Sequence, residues 1–547
     1  MAWYSILNEL KSEGREMGIY VNPGNSGFQD ICRKNYIDKT GLISLINDTI
    51  GTSEKLTCIS RPRRFGKSFA AQMLCAYYDK SCDSSVLFDS REISRFPSYR
   101  QHLNQYDVIY IDMSGTYPFT DHYHSLVPFL SRRITEELQS AYPLLSPGED
   151  LPATLARAAV HTAHKFIMII DEWDAPIREA PEVEKEYLRF LRSMFKNSGV
   201  TSQAFAAVYM TGILPIKKDG SQSAISDFQE FTMLKPADFA SYVGFTEQEV
   251  KQLCLQNHSD FSEMKKWYDG YSLGNVESIY NPNSVMKAIR FRDFDSYWSE
   301  TSAASSLMQY ISRDLGDLRK TVAELIGGVE VDVNTKGFSN DLTTLKNRDD
   351  ILTLLIHLGY LAYNESTKKA RIPNEEVRLE FVRTIREDKN PETLKRVQES
   401  DQLIWNTIHR DSEAVASQIE KVHMEATNPL NANHENSLRA VIQLAYFSYK
   451  DYYLKMEELP AGHGYADIVY LPRQGMQVPA LVVELKWNHS AEAAIQQIKN
   501  GKYPESLHDY SHEILLVGIN YDKSAPAGHR KYTCIIEPWH SDASAHA

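Results

Sequence analysis

Paired cysteines are missing from this chain. Its six cysteines, Cys32, Cys58, Cys75, Cys82, Cys254 and Cys534, are scattered over 547 residues, and none stands in a CxxC spacing. That excludes a sulfur-rich zinc site and a disulfide framework, and leads us to expect a reducing compartment, the cytoplasm. Long apolar runs are missing too. None approaches the roughly 18 residues of a membrane-spanning helix, and Met1-Ala-Trp-Tyr does not open a signal peptide, so no membrane partner is expected. Positive charge is outweighed, with 59 Lys and Arg against 72 Asp and Glu and a net charge of −13. The molecule as a whole cannot coat a polyanion, so nucleic-acid binding requires a local basic surface. No low-complexity tract or internal repeat is evident.

What is there suits a globular enzyme. Hydrophobic residues make up 42% and charged residues 24%, at a length that implies about two to four domains. One stretch organises the rest: LTCISRPRRFGKSFAAQMLCAY, Leu56 to Tyr77. An apolar run of strand length breaks into a basic turn and resumes as an amphipathic helix from about Ser68. Strand, Gly-Lys-Ser, helix is the order of a phosphate-binding loop, whose backbone N–H groups and helix dipole face an anion. In that reading Gly66 lets the backbone approach, Lys67 reaches the β and γ phosphates of ATP, and the Ser68 hydroxyl holds Mg²⁺. The usual pattern has a first Gly where this chain has Arg61. Arg61, Pro62, Arg63, Arg64 and Phe65 must therefore follow another path, trading backbone contact for guanidinium contact. An ordinary helix N-terminus behind a basic loop stays open as the other reading.

Phe166 to Ile170, FIMII, has the length of a buried parallel strand, and Asp171-Glu172 follows it. An acidic pair at that strand end is the Walker B arrangement, with Asp171 in the Mg²⁺ shell and Glu172 polarising the attacking water. A second apolar run, AFAAVYM, ends at Thr211, which either senses the γ-phosphate or caps a turn. Asp107 to Met113 reads as another buried strand, and His122–Tyr142 and Leu151–Lys165 read as helices. From Leu234 to about Met308 the pattern reads as helical and aromatic, a lid.

These stretches carry a resemblance. SRPRRFGKS, IDEWDAPI, TGILPI, WYDGYSLG, YNPNSV, YWSETS and IPNEEVR, in that order, resemble the bacterial AAA-ATPase-like family, whose members commonly carry a C-terminal nuclease-like domain. The resemblance implies a P-loop ATPase fold for the N-terminal half. It also implies that RPRRFGKS is a working loop form despite Arg61. AAA-type ATPases often assemble so that a neighbour supplies an arginine, which makes a homo-oligomer an expected partner state. Arg189 and Arg192 are the candidate fingers.

The second centre of chemistry lies near the C-terminus. Asn436–Tyr449 reads as a helix, Tyr452–Glu457, Tyr465–Tyr470 and Ala480–Leu485 as strands, Ala491–Lys502 as a helix and Glu513–Ile519 as a strand. The order αβββαβ, with Asp467 in one strand and Glu484-Leu485-Lys486 ending the next, is the PD-(D/E)XK nuclease arrangement. Alternation puts Glu484 and Lys486 on one face, with Asp467 beside them. Two carboxylates would hold Mg²⁺, with Mn²⁺ able to substitute, and Lys486 would stabilise the attacking hydroxide. Glu435 is a candidate third carboxylate, and Gln497 and Tyr503 resemble a helix feature of one nuclease subgroup. A strand that merely ends in a Glu–Lys ion pair is the alternative. Since the three residues sit at a polar strand edge, their removal is expected to leave the fold intact.

The fold class expected is therefore α/β: a P-loop NTPase (AAA-like) domain over residues 1–233, a helical lid and winged-helix-like connector over 234–390, and a restriction-endonuclease-like αβββαβ domain over 391–547. The function expected is ATP-regulated, Mg²⁺-dependent cleavage of nucleic acid, DNA ahead of RNA, in mobile-element control or defence. The alternative is a nucleotide-gated interaction or nucleic-acid-binding switch without cleavage.

Overall fold

The structure is a computed structural model. It describes residues 18–33, 35–116, 126–196, 198–216, 218–219, 222–223, 225, 227–298, 318–338, 345–387, 391–426, 438, 441–442, 445–446, 449, 452–461, 464–473, 476, 478–501, 507, 513–526 and 529–539. The chain divides into two compact units, Met1–Trp298 with Val333–Glu376, and Ser299–Asp332 with Val377–Ala547. The chain passes between them after Trp298, after Asp332 and after Glu376, the last just inside a helix over Glu375–Glu387 and ahead of the polar stretch at 388–390.

The first unit is built on five parallel strands: β1 (Leu56–Ser60), β2 (Asp107–Asp112), β3 (Phe166–Asp171), β4 (Phe205–Gly212) and β5 (Gln229–Phe231), in the spatial order β2-β3-β4-β1-β5. Every residue of β1, β3 and β4 is buried, as unbroken apolar runs covered on both faces require. Helix α1 (Lys67–Tyr78) leaves the carboxyl end of β1, and α2 (Ala175–Glu179) follows β3. β4 lies between β1 and β3, so the ends of the phosphate-loop strand and the acidic strand flank Thr211. The helix expected over His122–Tyr142 is described over Leu126–Ala141, and its first residues lie outside the described ones.

The stretch expected as a helical lid is not wholly helical. Among its helices runs a three-stranded antiparallel sheet, β6 (Phe245–Thr246), β7 (Tyr271–Leu273) and β8 (Val276–Tyr280), in the order β6-β8-β7. Gly274, at φ +58, turns β7 into β8. Strands of two to five residues are too short for an alternating pattern to show. Further on, a helix over Arg348–Leu358, closed by Gly359 at φ +85, runs into a hairpin of Ala362–Asn364 with Lys369–Arg371.

The second unit holds a five-stranded sheet: β9 (Tyr453–Ala461), β10 (Gly464–Pro472), β11 (Ala480–Trp487), β12 (Ile514–Tyr521) and β13 (Tyr532–Pro538), paired in chain order. Only β11 and β12 run parallel, and helix α3 (Ala491–Asn500) makes that crossover. The sequence reading missed β13, which closes the far edge against β12. Among the described residues no helix is long and apolar enough to cross a membrane, and the six cysteines are free thiols.

Candidate nucleotide site and candidate metal centre

The loop from β1 to α1 shows why Arg61 can stand where glycine is usual. The Arg61 N–H donates to the Gly212 carbonyl and so continues the strand ladder; its backbone is not left-handed. The left-handed positions have moved to Arg64, at φ +68, and Gly66, at φ +92. Only at Gly66 does the loop demand glycine for its conformation at the helix N-terminus, and a Cβ there would meet nothing within 4 Å.

The side chains of Arg61, Arg64 and Phe65, expected at the nucleotide, engage the protein itself. Arg61 is fully buried, and its guanidinium donates to the carbonyls of Ser60, Phe231 and Phe239. Burial draws its pKa down to about 10. Arg64 donates to the Tyr297 carbonyl at 2.6 Å. Phe65 packs edge-on against Tyr271, ring centroids 5.3 Å apart, and the Tyr271 hydroxyl donates to the Gly359 carbonyl. Pro62 lies so close to Gly359 that a Cβ there would stand 2.7 Å from it. Arg63 is half-buried. The loop is thus tethered by its side chains to the segment expected as the lid.

Lys67 is buried, and its ammonium donates to the carbonyls of Arg61 (3.1 Å) and Pro62 (2.9 Å). Burial lowers its pKa, and Glu172, Asp171 and Asp174 pull it back up. Asp171 is buried at the end of β3; burial raises its pKa, and the Ser68 and Thr211 hydroxyls work the other way. The Thr211 hydroxyl donates directly to the Asp171 carboxylate. Glu172 sits on left-handed backbone at φ +50, its N–H 3.3 Å from the Thr211 hydroxyl. An open cradle at Gly66, a buried ammonium, and a buried carboxylate beside a serine hydroxyl fit a nucleotide phosphate with a divalent cation. Lys67 would contact phosphate, and Ser68 and Asp171 would hold the ion.

Two residues escaped the sequence reading. Asp174 is buried, and its carboxylate accepts the N–H groups of Ile213 and Leu214, pinning the chain after β4. Arg178, one turn on in α2, donates through Nε to Asp174 (3.0 Å) and through Nη2 to Glu172 (3.1 Å). Burial opposes its charge, and the two carboxylates more than offset that. The Asp174–Arg178 spacing of four on a helix was the available signal.

In the second unit, β10 and β11 bring Asp467, Glu484 and Lys486 together. The Asp467 carboxylate accepts the Leu485 N–H at 2.9 Å, and Lys486 donates to Glu484 at 3.1 Å. Gln497, from α3, accepts from the same ammonium. Glu484 is buried, not at an exposed edge. Burial, then the neighbouring Asp467 charge, push its pKa up to about 7. Its second oxygen, Oε2, is buried and has no hydrogen-bond partner among the described residues. A buried carboxylate oxygen with no donor, next to a second carboxylate, fits a divalent cation, which would supply the missing positive partner. Asp467 and Glu484 would hold it. Among the described residues no three His, Cys, Asp or Glu side chains gather, and the third candidate, Glu435, lies outside the described residues, as does Tyr503. Asn520, buried on β12 and in register with Lys486, accepts the His489 N–H and fixes the start of the α3 crossover.

Residues 23–221 match a family described as predicted AAA-ATPase, and residues 433–526 match the PD-(D/E)XK nuclease superfamily. The chain is 22% identical over 515 residues to a protein of Azotobacter chroococcum mcd 1 described as "Uncharacterized protein in vnfD 5'region"; the match covers 90% of this chain and 93% of the other. Among solved structures it is similar to a Walker-type ATPase of Pyrococcus abyssi, with 14% identity, 63% of this chain and 94% of that chain covered, and a TM-score of 0.32. It is also similar to the ORC2 protein of Aeropyrum pernix, with 11% identity, 64% and 97% covered, and a TM-score of 0.26. The chain therefore carries a domain of the predicted AAA-ATPase family and, behind it, a domain of the PD-(D/E)XK nuclease superfamily.

Proposed function

We propose that this protein is an ATP-regulated nuclease that hydrolyses DNA phosphodiesters at Asp467, Glu484, Lys486 and Gln497, with Mg²⁺ held by the two carboxylates and Mn²⁺ able to replace it. The observation that carries the reading is the buried Oε2 of Glu484, without a hydrogen-bond partner among the described residues, beside Asp467 and Lys486. A binding module would gain nothing from burying a carboxylate oxygen without a donor, whereas a hard cation needs such a group. The bound ion would neutralise the phosphate and lower the pKa of an attacking water. Lys486, aimed by Glu484 and Gln497, would then stabilise the developing charge.

In the first unit the Gly66 cradle, Lys67, Ser68, Asp171 and Thr211 support ATP with Mg²⁺. Glu172 is the residue that would polarise water. A cytoplasmic protein that controls mobile elements or defends against foreign DNA is the role this pairing suits. The test is incubation of the pure protein with plasmid, linear and single-stranded DNA, in Mg²⁺ or EDTA, with and without ATP. Cleavage that requires Mg²⁺, and that changes with ATP and with Lys67→Ala, is expected. No cleavage of any DNA or RNA, with ATP turnover intact, would replace this reading by a nucleotide-gated switch.

A further inference from the structure

Arg178 has two partners of unequal standing. Asp174 is fixed: it is buried, and it also accepts the N–H groups of Ile213 and Leu214. It grips the guanidinium by Nε. Glu172 is the looser partner, 24% exposed against 2% for Asp174, and it takes the Nη2 edge from a backbone in the left-handed region. Such a backbone is disfavoured for a non-glycine residue, so the surroundings must hold Glu172 there. The guanidinium is itself only 10% exposed, and its charge is felt at Lys67. The site thus contains two cations, and one edge of the second is occupied by the carboxylate of the residue that would polarise water.

A carboxylate and a phosphate present matching pairs of oxygens to a guanidinium fork. We propose that Arg178 is this chain's own arginine for the terminal phosphate of a nucleoside triphosphate, and that Glu172 occupies its place until the triphosphate arrives. The Asp174 grip keeps the guanidinium in position while its other edge exchanges from Glu172 to phosphate. That exchange frees Glu172 for water. A diphosphate has no terminal group to take the edge, so Glu172 stays engaged. The proposal rests on reading the first unit as an ATPase, and it assigns in cis a role for which the sequence offered only Arg189 and Arg192.

The experiment is calorimetric titration of the full chain with Mg²⁺-ADP and with a non-hydrolysable Mg²⁺-ATP analogue, for wild type, Arg178→Lys and Arg178→Gln, alongside steady-state turnover. Arg178→Gln should weaken triphosphate binding about tenfold or more, the scale of one charge-assisted hydrogen bond, and leave diphosphate binding within about threefold. Its kcat should fall by a similar factor. Arg178→Lys keeps a charge against Asp174 and should lose the same selectivity while melting like wild type, so a misfolded Gln variant does not leave the question open. An unchanged ratio of triphosphate to diphosphate affinity in the folded Lys variant would overturn the proposal. So would a rise in kcat, which would make Arg178 only a mask. A wild-type chain that binds neither nucleotide would instead remove the ATPase reading itself.

Discussion

The hydroxyl of Thr211 donates to the carboxylate of Asp171 across the ends of β4 and β3. Asp171 is buried with a pKa raised by that burial, so each donor that reaches it counts. Thr211→Val keeps the shape and removes the donor. We expect it to lower stability by about 1–3 kcal/mol and ATP turnover by roughly tenfold or more, while Thr211→Ser stays near wild type. Thermal unfolding and phosphate release read the two effects separately. Turnover in Thr211→Val equal to wild type would reduce Thr211 to packing.

Restoring the usual glycine should harm this protein. Arg61→Gly would strand the carbonyls of Ser60, Phe231 and Phe239 and open a cavity between the sheet and the lid segment. We expect a loss of about 3 kcal/mol or more, with no gain in ATP affinity for the molecules that remain folded. An Arg61→Gly protein that melts like wild type and binds nucleotide more tightly would show that the guanidinium is not a brace.

How much of this was legible depends on range. Gly66-Lys67-Ser68 and Asp171-Glu172 are local signals, each readable from a short apolar run and what ends it. The pairing of Asp467 with Glu484 and Lys486 was readable because period-2 alternation fixes faces. The destinations of Arg61, Arg64 and Phe65 were not readable, because their partners Phe231, Tyr297 and Tyr271 lie more than 150 positions on in the chain. The burial of Glu484 was hidden for the same reason: a strand end looks polar until α3 and β12 cover it. β13, YTCIIEP, is strand-like, but it lies beyond the αβββαβ order that identifies this domain, so that order does not call for it.

His423 supplies a pH dependence. It packs against Tyr521 and Tyr532, and its Nδ1 is 2.7 Å from the Tyr532 hydroxyl. Burial, then the Lys531 charge, lower its pKa below 6.5, and Glu420 offsets only part. The unfolded chain therefore takes up a proton here before the folded one does. Stability contributed at neutral pH should be lost as pH falls through the unfolded value toward the lower folded one. His423→Asn removes the titration, so wild type should lose more of its unfolding temperature than His423→Asn between about pH 7.5 and about pH 5.5. Parallel curves for the two proteins would refute the assignment.

The metal centre gives the sharpest prediction, and the buried position of Glu484 changes its design. Glu484→Ala would leave a cavity and strip Lys486 of its carboxylate partner, so lost cleavage there could mean lost fold. Glu484→Gln keeps the volume and can still accept from Lys486. In the absence of metal it should melt at or above wild type, since a buried carboxylate with an unpartnered oxygen has been replaced by a neutral amide. Wild type should gain unfolding temperature with Mg²⁺ or Mn²⁺, because an ion that binds only the folded state stabilises it by mass action. Glu484→Gln and Asp467→Asn should lose most of that gain, and cleavage should fall roughly 10²-fold or more in each, about 3 kcal/mol of transition-state stabilisation. Lys486→Met should keep the metal-induced gain and most of its DNA affinity, since one cation is a small part of a polyelectrolyte contact, yet lose cleavage to a similar extent. A metal-induced shift that survives both carboxylate substitutions, or cleavage indifferent to EDTA, would place the ion elsewhere and end the nuclease reading of this sheet.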